Sequence, residues 1–586
     1  MPLLTSALWL ALDPLAAAGL PAGEIDRVTG ASGEVRATRE RVTVRRIVDT
    51  RWPEAGIFWQ KPVEIARYEL PADARIFARE RWTGAPVMAG WKRNGRPVLW
   101  TATGWGERGY DRYPYLPQAA FDLGLRPAAE ARDLWAFFDS SYRLRADPDY
   151  LAQRWRAGGI AAIHVAAWHY DEPDADRDER LASLIAACHR NAVLVYAWLE
   201  LPHVSEEFWN LRPECREKTA LGADAHLDWR RLINLENRAC AAEVESRVES
   251  LLERFDWDGV NLAELYFESP EGPGNPARFT PMSADVRREF GKSAGVDPID
   301  LFAPGKANAG LLRRFLDYRA KLAQRMQSHW LDVVARRPGL DIALTHVDDR
   351  FDRSMRDALG ADAAAALPLL DRRDFTFLIE DPATVWHLGP QRYPEIAARY
   401  RELTPHHSRL GVDINVVERY QDVYPTKRQT GAELFSLVHL ASQAFARVAL
   451  YFENSILAPD WPLLAASAAH ATVTRTGDGL RVESARDVCI RWDGAAKVNG
   501  AEWPLTDGRY VRLPAGTHTV EAGKRLPLRV IDLNAVPVGA AADESGVEIE
   551  YESRGRGIVM LSDGRIERLA AGRHKVYFAA ATTGGS

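Results

Sequence analysis

Between residues 130 and 468 the chain alternates a short apolar run with a longer amphipathic stretch eight times, and any fold must accommodate that alternation. The runs lie at 134–139, 161–168, 193–200, 258–264, 341–347, 375–380, 410–416 and 448–453. Six to eight residues of nearly continuous apolar character fit parallel strands that are buried on both faces. The stretches between them carry helical periodicity. Leu181, Leu184, Ile185 and Cys188 share one face, as do Val244, Val248, Leu251 and Leu252, and residues 311–335 repeat the pattern through Phe315, Leu322, Met326 and Val333. Eight such units predict an α/β protein with a closed (β/α)8 TIM barrel over residues 129–468. An open doubly wound sheet is the alternative, because periodicity does not encode closure.

Both flanks read differently. Residues 1–128 predict a small mixed α/β region with strands near 42–48 and 74–78 and a hairpin turning at Asn94-Gly95. Residues 469–586 predict an all-β, sandwich-like region of short strands and Gly turns. It contains an internal repeat: residues 507–522 and 563–578 match at nine of sixteen positions, 56 residues apart. Packing against the barrel is its expected role, with the paired His518 and His574 stabilising turns.

In a barrel, the C-terminal ends of the strands form the open mouth where chemistry is done. The residues there are acidic and aromatic. Asp139 follows the first strand, Trp168, His169 and Tyr170 the second, and Trp198 and Glu200 the third. Glu264 ends the fourth, Asp348 and Asp349 follow the fifth, Glu380 and Asp381 the sixth, and Asp413 and Asn415 lie in the seventh. Tyr451 and Glu453 close the eighth. Glycosidic cleavage needs one carboxyl to protonate the leaving oxygen and another to attack or to activate water, while aromatic faces hold the sugar. The chain has 19 Trp against 6 Met, a bias that suits such faces.

Glu264 is the principal catalytic candidate. Strand alternation puts it in line with Val260 and Leu262, so it faces the mouth only if the strand ends there; otherwise it is a salt-bridging rim residue. Asp413 and Glu453 are the first choices for its partner, ahead of Glu380. Asp139, Trp168, Tyr170, Trp198, Glu200, Glu268, Glu380, Asn415 and Tyr451 are candidates for substrate binding. Non-catalytic sugar binding is the competing reading, and metal-assisted hydrolysis through His164, His346 or His387 a weaker one. No H-x-H or H-E-x-x-H occurs, so no metal and no cofactor is expected. Gly291-Lys-Ser-Ala-Gly295 spells a nucleophile elbow but follows a helical stretch, and reads as a loop.

A net charge of −6 carries no footprint for nucleic acid, and no apolar run is long enough to span a bilayer. The four cysteines are far apart and predict neither a disulfide framework nor a zinc site. The first twenty residues have the apolar core of a signal peptide, but they lack a basic start and are interrupted by Asp13.

The segment AAIHVAAWHYDEPDADRDERLASLIAACHRNAVLVYAWLELP resembles the second and third barrel units of the hydrolase domain in PgaB-type exopolysaccharide-processing proteins. That family's fourth strand likewise begins Asp-Gly and carries an acid six residues after the Asp, where Glu264 stands, and ARFTPMSADVRREF is similar to its next helix. The resemblance covers residues 135–290. It implies a periplasmic or secreted enzyme acting on a β-linked amino-sugar polymer or another exopolysaccharide. Two features depart from the family: its acid is an Asp, often followed by a second, and its deacetylase domain has no counterpart in residues 1–128. That region instead resembles, in the order hairpin, Gly-rich loop and YPYLPQAAFDLG, the closing part of an amidotransferase-like domain, without the thiol nucleophile since no cysteine precedes Cys188.

Overall fold

The computed structural model describes residues 12–54, 56–106, 108–139, 146–269, 271–306, 308–416 and 428–580. Its centre is a closed barrel of eight parallel strands. In chain order they are β1 (Leu134–Phe138), β2 (Ile160–Ala166), β3 (Leu194–Glu200), β4 (Gly259–Ala263), β5 (Asp341–Val347), β6 (Thr376–Glu380), β7 (Leu410–Asn415) and β8 (Arg447–Tyr451). The apolar runs therefore close on themselves, with β8 pairing β1 through Ala449–Trp135 and Leu450–Ala136. Alternation divides each strand. Outward residues such as Val260, Leu262, Val412 and Ile414 pack with the helices, whereas Trp135, Phe137, Tyr196, Trp198 and Leu378 fill the interior. Gly259 is required by this packing, since a Cβ there would lie 2.3 Å from the Tyr196 ring.

The N-terminal part is a six-stranded sheet ordered Asp26–Thr29, Arg96–Thr101, Pro86–Arg93, Arg75–Glu80, Arg36–Asp49 and Gly56–Glu69. The hairpin turns through Asn94 and Gly95, both at positive φ. Asp13, which interrupts the apolar start of the chain, caps the short helix Pro14–Ala17 and pairs with Arg27 at 2.6 Å. Leu15, Ala18 and Leu20 are buried in the core of this sheet. Phe435 and Leu463 from the barrel's helices join the same core. Asp460 fastens the two parts: its carboxylate accepts from Gln118 Nε2 at 2.8 Å, Thr430 Oγ1 at 2.6 Å and the Gly431 amide at 2.9 Å.

The C-terminal part is built twice. In the first copy Ala471–Thr476, Gly479–Ser484 and Gly516–Ala522 pair in sequence, as Val536–Ala542, Gly546–Ser553 and Gly572–Ala579 do in the second. Val488–Arg491 pairs Tyr510–Leu513 just as Gly557–Leu561 pairs Ile566–Leu569. The sixth strand of the second copy is Val530–Asn534. Its counterpart in the first is Ala129–Glu130, which precedes the barrel. His518 and His574 each bond a carbonyl of the turn before them, Pro514 O at 3.1 Å and Ala571 O at 2.7 Å. The pair of β units covers the N-terminal ends of the strands: Asn534 Nδ2 donates to Ala161 O and Ala192 O, and Arg554 pairs Asp341 at the start of β5. It closes the floor, opposite the mouth.

Two sequence expectations are corrected. Cys215 and Cys240 form a disulfide with Cα atoms 5.6 Å apart, while Cys188 and Cys489 are free and buried. Residues 25 apart in sequence meet because the chain between β3 and the helix Arg238–Arg254 doubles back on itself. Cross-linking such a loop stabilises by about 3 kcal/mol. The Cys215→Ser/Cys240→Ser protein is therefore expected to unfold at lower denaturant by that amount, and the parent should match it after reduction. The second correction concerns residues 291–295. They finish the helix Ala284–Ala294, with Gly295 as its left-handed C-cap, and form no loop.

Candidate active site

Glu264 reaches the mouth because the strand stops before it. Ala263 is the last residue of β4, and Glu264 has a φ of +56°, a left-handed conformation that breaks the alternation. Without that turn its side chain would follow Leu262 into the helical layer. The conformation costs a non-glycine residue about 1–2 kcal/mol. Strain of this kind persists where the surroundings over-determine it, which is characteristic of functional sites. Here the Tyr266 amide donates to the Glu264 carbonyl at 2.6 Å.

One cation holds the acids together. Arg230 Nε donates to Glu200 Oε1 at 2.5 Å, and its Nη2 reaches both oxygens of Glu264 at 3.0 and 2.8 Å. Glu268 Oε1 lies 3.5 Å from the same Nε. The Glu200 side chain is 2% exposed, whereas those of Glu264 and Glu268 are each 16% exposed and meet solvent. Burial raises the Glu264 carboxyl to about 8; Arg230 opposes the rise and Glu200 adds to it. Glu268 is pushed up to about 7, by burial against Arg230 and with Glu264 adding. Glu380, at the end of β6, stands well above its usual range, first through burial and then through the charge of Glu264, with Asp413 and Asp381 beyond. Glu264 and Glu380 thus face one space from β4 and β6.

Beside the acids opens a cavity of about 930 Å³, walled by Trp168, Trp198, Trp229, Tyr451 and Phe452. The Trp168 and Trp229 rings lie 5.8 Å apart and 26° from parallel, and Trp229 is 40% exposed. Asp139 lines the same cavity, bonded to His169 Nε2 at 3.1 Å. The structure thus groups Asp139, Trp168, Trp198 and Tyr451 around the cavity; Glu200, Glu264, Glu268 and Glu380 do not line it, and the link is Tyr451, whose hydroxyl is raised by burial and then by the charges of Glu200 and Glu264.

Four candidates are placed elsewhere. Glu453 accepts from Trp155 Nε1 at 2.9 Å, and Trp155 lies on the helix Pro148–Ala157 outside the barrel. It belongs to the helical shell because β8 ends at Tyr451, so alternation no longer governs its direction. Tyr170 likewise turns outward, against Phe255 at 6.2 Å. Asp413 does point inward, yet it is 1% exposed and lies beside Glu380 in the strand register, its carboxyl raised by burial and by Asp381. Asn415 also points inward, and its Nδ2 donates to Asp381 O at 3.4 Å. The other acids at strand ends are structural. Asp348 caps the amides of Arg350, Phe351 and Asp352, Asp349 accepts from the Ala363 amide, and Asp381 pairs the buried Arg392 at 2.5 Å. Among the described residues no three His, Cys, Asp or Glu side chains are grouped as metal ligands, and no helix is long and apolar enough to cross a membrane.

Sequence reasoning missed Trp229 and Arg230. They sit on a two-stranded hairpin, His226–Leu227 with Arg230–Arg231, inside the long connection after β3. That connection has no periodicity to read; its only signal is an aromatic residue beside two basic ones.

No known family profile matches the chain, and no curated protein matches it by sequence. Among solved structures it is similar to the β-galactosidase from the psychrophilic Marinomonas ef1, at 13% identity and a TM-score of 0.43, over 57% of this chain and 59% of that one. It is also similar to the PgaB (BpsB) glycoside hydrolase domain from Bordetella bronchiseptica, at 12% identity and a TM-score of 0.40, over 55% of this chain and 94% of that one. The α-L-fucosidase isoenzyme 2 from Paenibacillus thiaminolyticus is matched at 13% identity and a TM-score of 0.37, over 57% of this chain and 49% of that one. The chain spans about three-fifths of that β-galactosidase's length. At such identities the likeness is one of barrel fold.

Proposed function

We propose that the chain is a glycoside hydrolase of a neutral or amine-bearing exopolysaccharide, with Glu264 as proton donor and Glu380 as its partner carboxylate. The reading is supported by the charge of Glu264 acting on the inward carboxyl of Glu380, near an aromatic-walled cavity. Two carboxyls sharing one site cannot both ionise cheaply, so the pair keeps a proton near neutral pH. Glu264 passes it to the glycosidic oxygen as that bond breaks. With the proton on Glu264, the charge that opposes ionisation of Glu380 is removed, and Glu380 as a carboxylate attacks the anomeric carbon or takes a proton from the attacking water. Glu200, Glu264 and Glu268 share Arg230, and the cavity is lined by Asp139, Glu172, Glu206 and Glu207 against Arg177 and Arg231, so acids outnumber cations and a polyanion would be repelled. The Cys215–Cys240 disulfide supports an oxidising, extracytoplasmic setting.

One observation favours a sugar-binding barrel without turnover: Arg230 engages both oxygens of Glu264. Reducing-end release decides between the readings. The protein should cleave at least one of a β-1,6-glucosamine polymer, its N-acetylated form, chitosan and a β-galactan, and should leave alginate intact. Binding to one of these with no new reducing ends over days would leave only the binding reading.

The raised carboxyls also set the pH dependence of stability. Glu264 and Glu268 take up protons more readily in the folded state than unfolded, so their favourable contribution is complete below pH about 4.5 and disappears as pH rises through about 7–8. Melting temperature is expected to fall between pH 6 and 9 at constant ionic strength. A melting temperature that rises over this interval would contradict the arrangement of acids.

A further inference from the structure

We propose that Arg230 is the positioning residue of this site, holding Glu200 as the ionised acid and Glu264 as the proton-bearing one. The inference rests on the reading of Glu264 as proton donor and names what fixes its protonation. A single guanidinium contacts three carboxyls, and among the described residues no other basic side chain forms an ion pair with any of them. One positive charge neutralises one carboxylate, so the three cannot be equivalent. Glu200 Oε1 is held closest, by Nη2 and by Nε at 2.5 Å, in an enclosed position. Its other oxygen, Oε2, is buried with no basic side chain or amide as donor, and the carboxyl–carboxyl bond between the two acids lowers Glu200 and raises Glu264, as a proton carried on Glu264 does. Glu264 receives one Nη2 divided between both oxygens, and it meets solvent. The geometry ranks Glu200 as the better-stabilised anion.

The hairpin is built to hold this arrangement. Its turn residue Asp228 has a φ of +57° and accepts two bonds from Arg278, at 2.9 and 2.7 Å. The Arg230 guanidinium lies 4.5 Å from the centre of the Trp229 ring, which also walls the cavity. Arg230 is thus fixed from the hairpin side and from below, where its planar fork suits two carboxylates as a lysine ammonium would not. Besides Arg230, the groups facing Glu264 are Glu200, Glu268, Glu380, Tyr266 and Tyr451. None of these is a cation.

Full-length Arg230→Gln and Arg230→Lys proteins carrying 13C-labelled glutamate carboxyls test the assignment, with the Glu264 signal identified by its loss in Glu264→Gln. Removal of the cation should move the Glu264 midpoint upward by about one pH unit or more. Lysine should give a smaller upward shift, and it carries the test if the glutamine variant does not fold. The alkaline limb of kcat/KM should move in the same direction, which a merely structural role would not produce. A Glu264 midpoint unchanged in the folded variants overturns the proposal. If the parent hydrolyses nothing, the carboxyl titration still decides the role of Arg230, and a shifted midpoint without turnover then counts against the glycosidase reading alone.

Discussion

Replacement of Glu264 by glutamine is expected to lower kcat by about 10²–10⁴-fold, the usual contribution of a positioned general acid. The amide preserves size and can still present its oxygen to Arg230 and its NH2 to Glu200, so polysaccharide affinity should change by less than about threefold. Single-turnover hydrolysis beside equilibrium binding measures both. Equal losses of binding and cleavage would make Glu264 a substrate anchor instead of the donor. The same substitution removes a carboxyl raised to about 8, so the fall in melting temperature towards alkaline pH should flatten. Those two effects come from one side chain through separate physics, catalysis in one case and proton linkage in the other.

The second large effect lies at the barrel floor. Asp532 accepts from Arg156 Nε at 2.9 Å and Nη2 at 2.6 Å, and Arg132 adds a contact at 3.3 Å. Arg156 is on the barrel's first helix and Asp532 on the strand Val530–Asn534, so the pair joins the two parts of the chain. Burial by itself would raise the Asp532 carboxyl, but Arg156, Arg132 and Arg512 hold it far below the usual range. Asp532→Ala leaves Arg156 buried without its anion, while Arg512 keeps Asp487 and Arg132 keeps Asp507; breaking a buried pair in this way typically costs about 3–5 kcal/mol. Urea unfolding and limited proteolysis at the junction would register it. The sign with pH is opposite to that of the mouth acids. The contribution of Asp532 is complete above pH about 4 and is lost as pH falls further. A variant whose unfolding midpoint lies within about 0.5 kcal/mol of the parent would show that the floor is held by other contacts.

Much of the barrel was legible because its strands are apolar on both faces and its helices on one. The eight runs and the observed strands coincide to within two residues at either end. The mouth was harder, because alternation predicts side-chain direction only while a strand continues. Glu264 and Glu453 fail in opposite senses for this reason. The left-handed turn at Glu264 brings an outward position into the mouth, whereas the end of β8 at Tyr451 sends a nominally inward one to Trp155. Arg230 was invisible because its role depends on a hairpin folded back over three acids from different places in the chain. The Cys215–Cys240 contact was hidden similarly, since linear separation says nothing of how a connection doubles back.

The strand Ala129–Glu130 belongs to the first β unit although more than three hundred residues separate it from its neighbour Val488–Arg491. In topological terms the barrel is an insertion inside a tandem β protein, entered just after one strand and left just before the rest. A cut at residue 468 would therefore not release an autonomous barrel. It would strand an unmatched edge on one fragment and leave the other with an incomplete sheet, so a piece that keeps the first β unit whole runs from Ala129 across the barrel to Ala522.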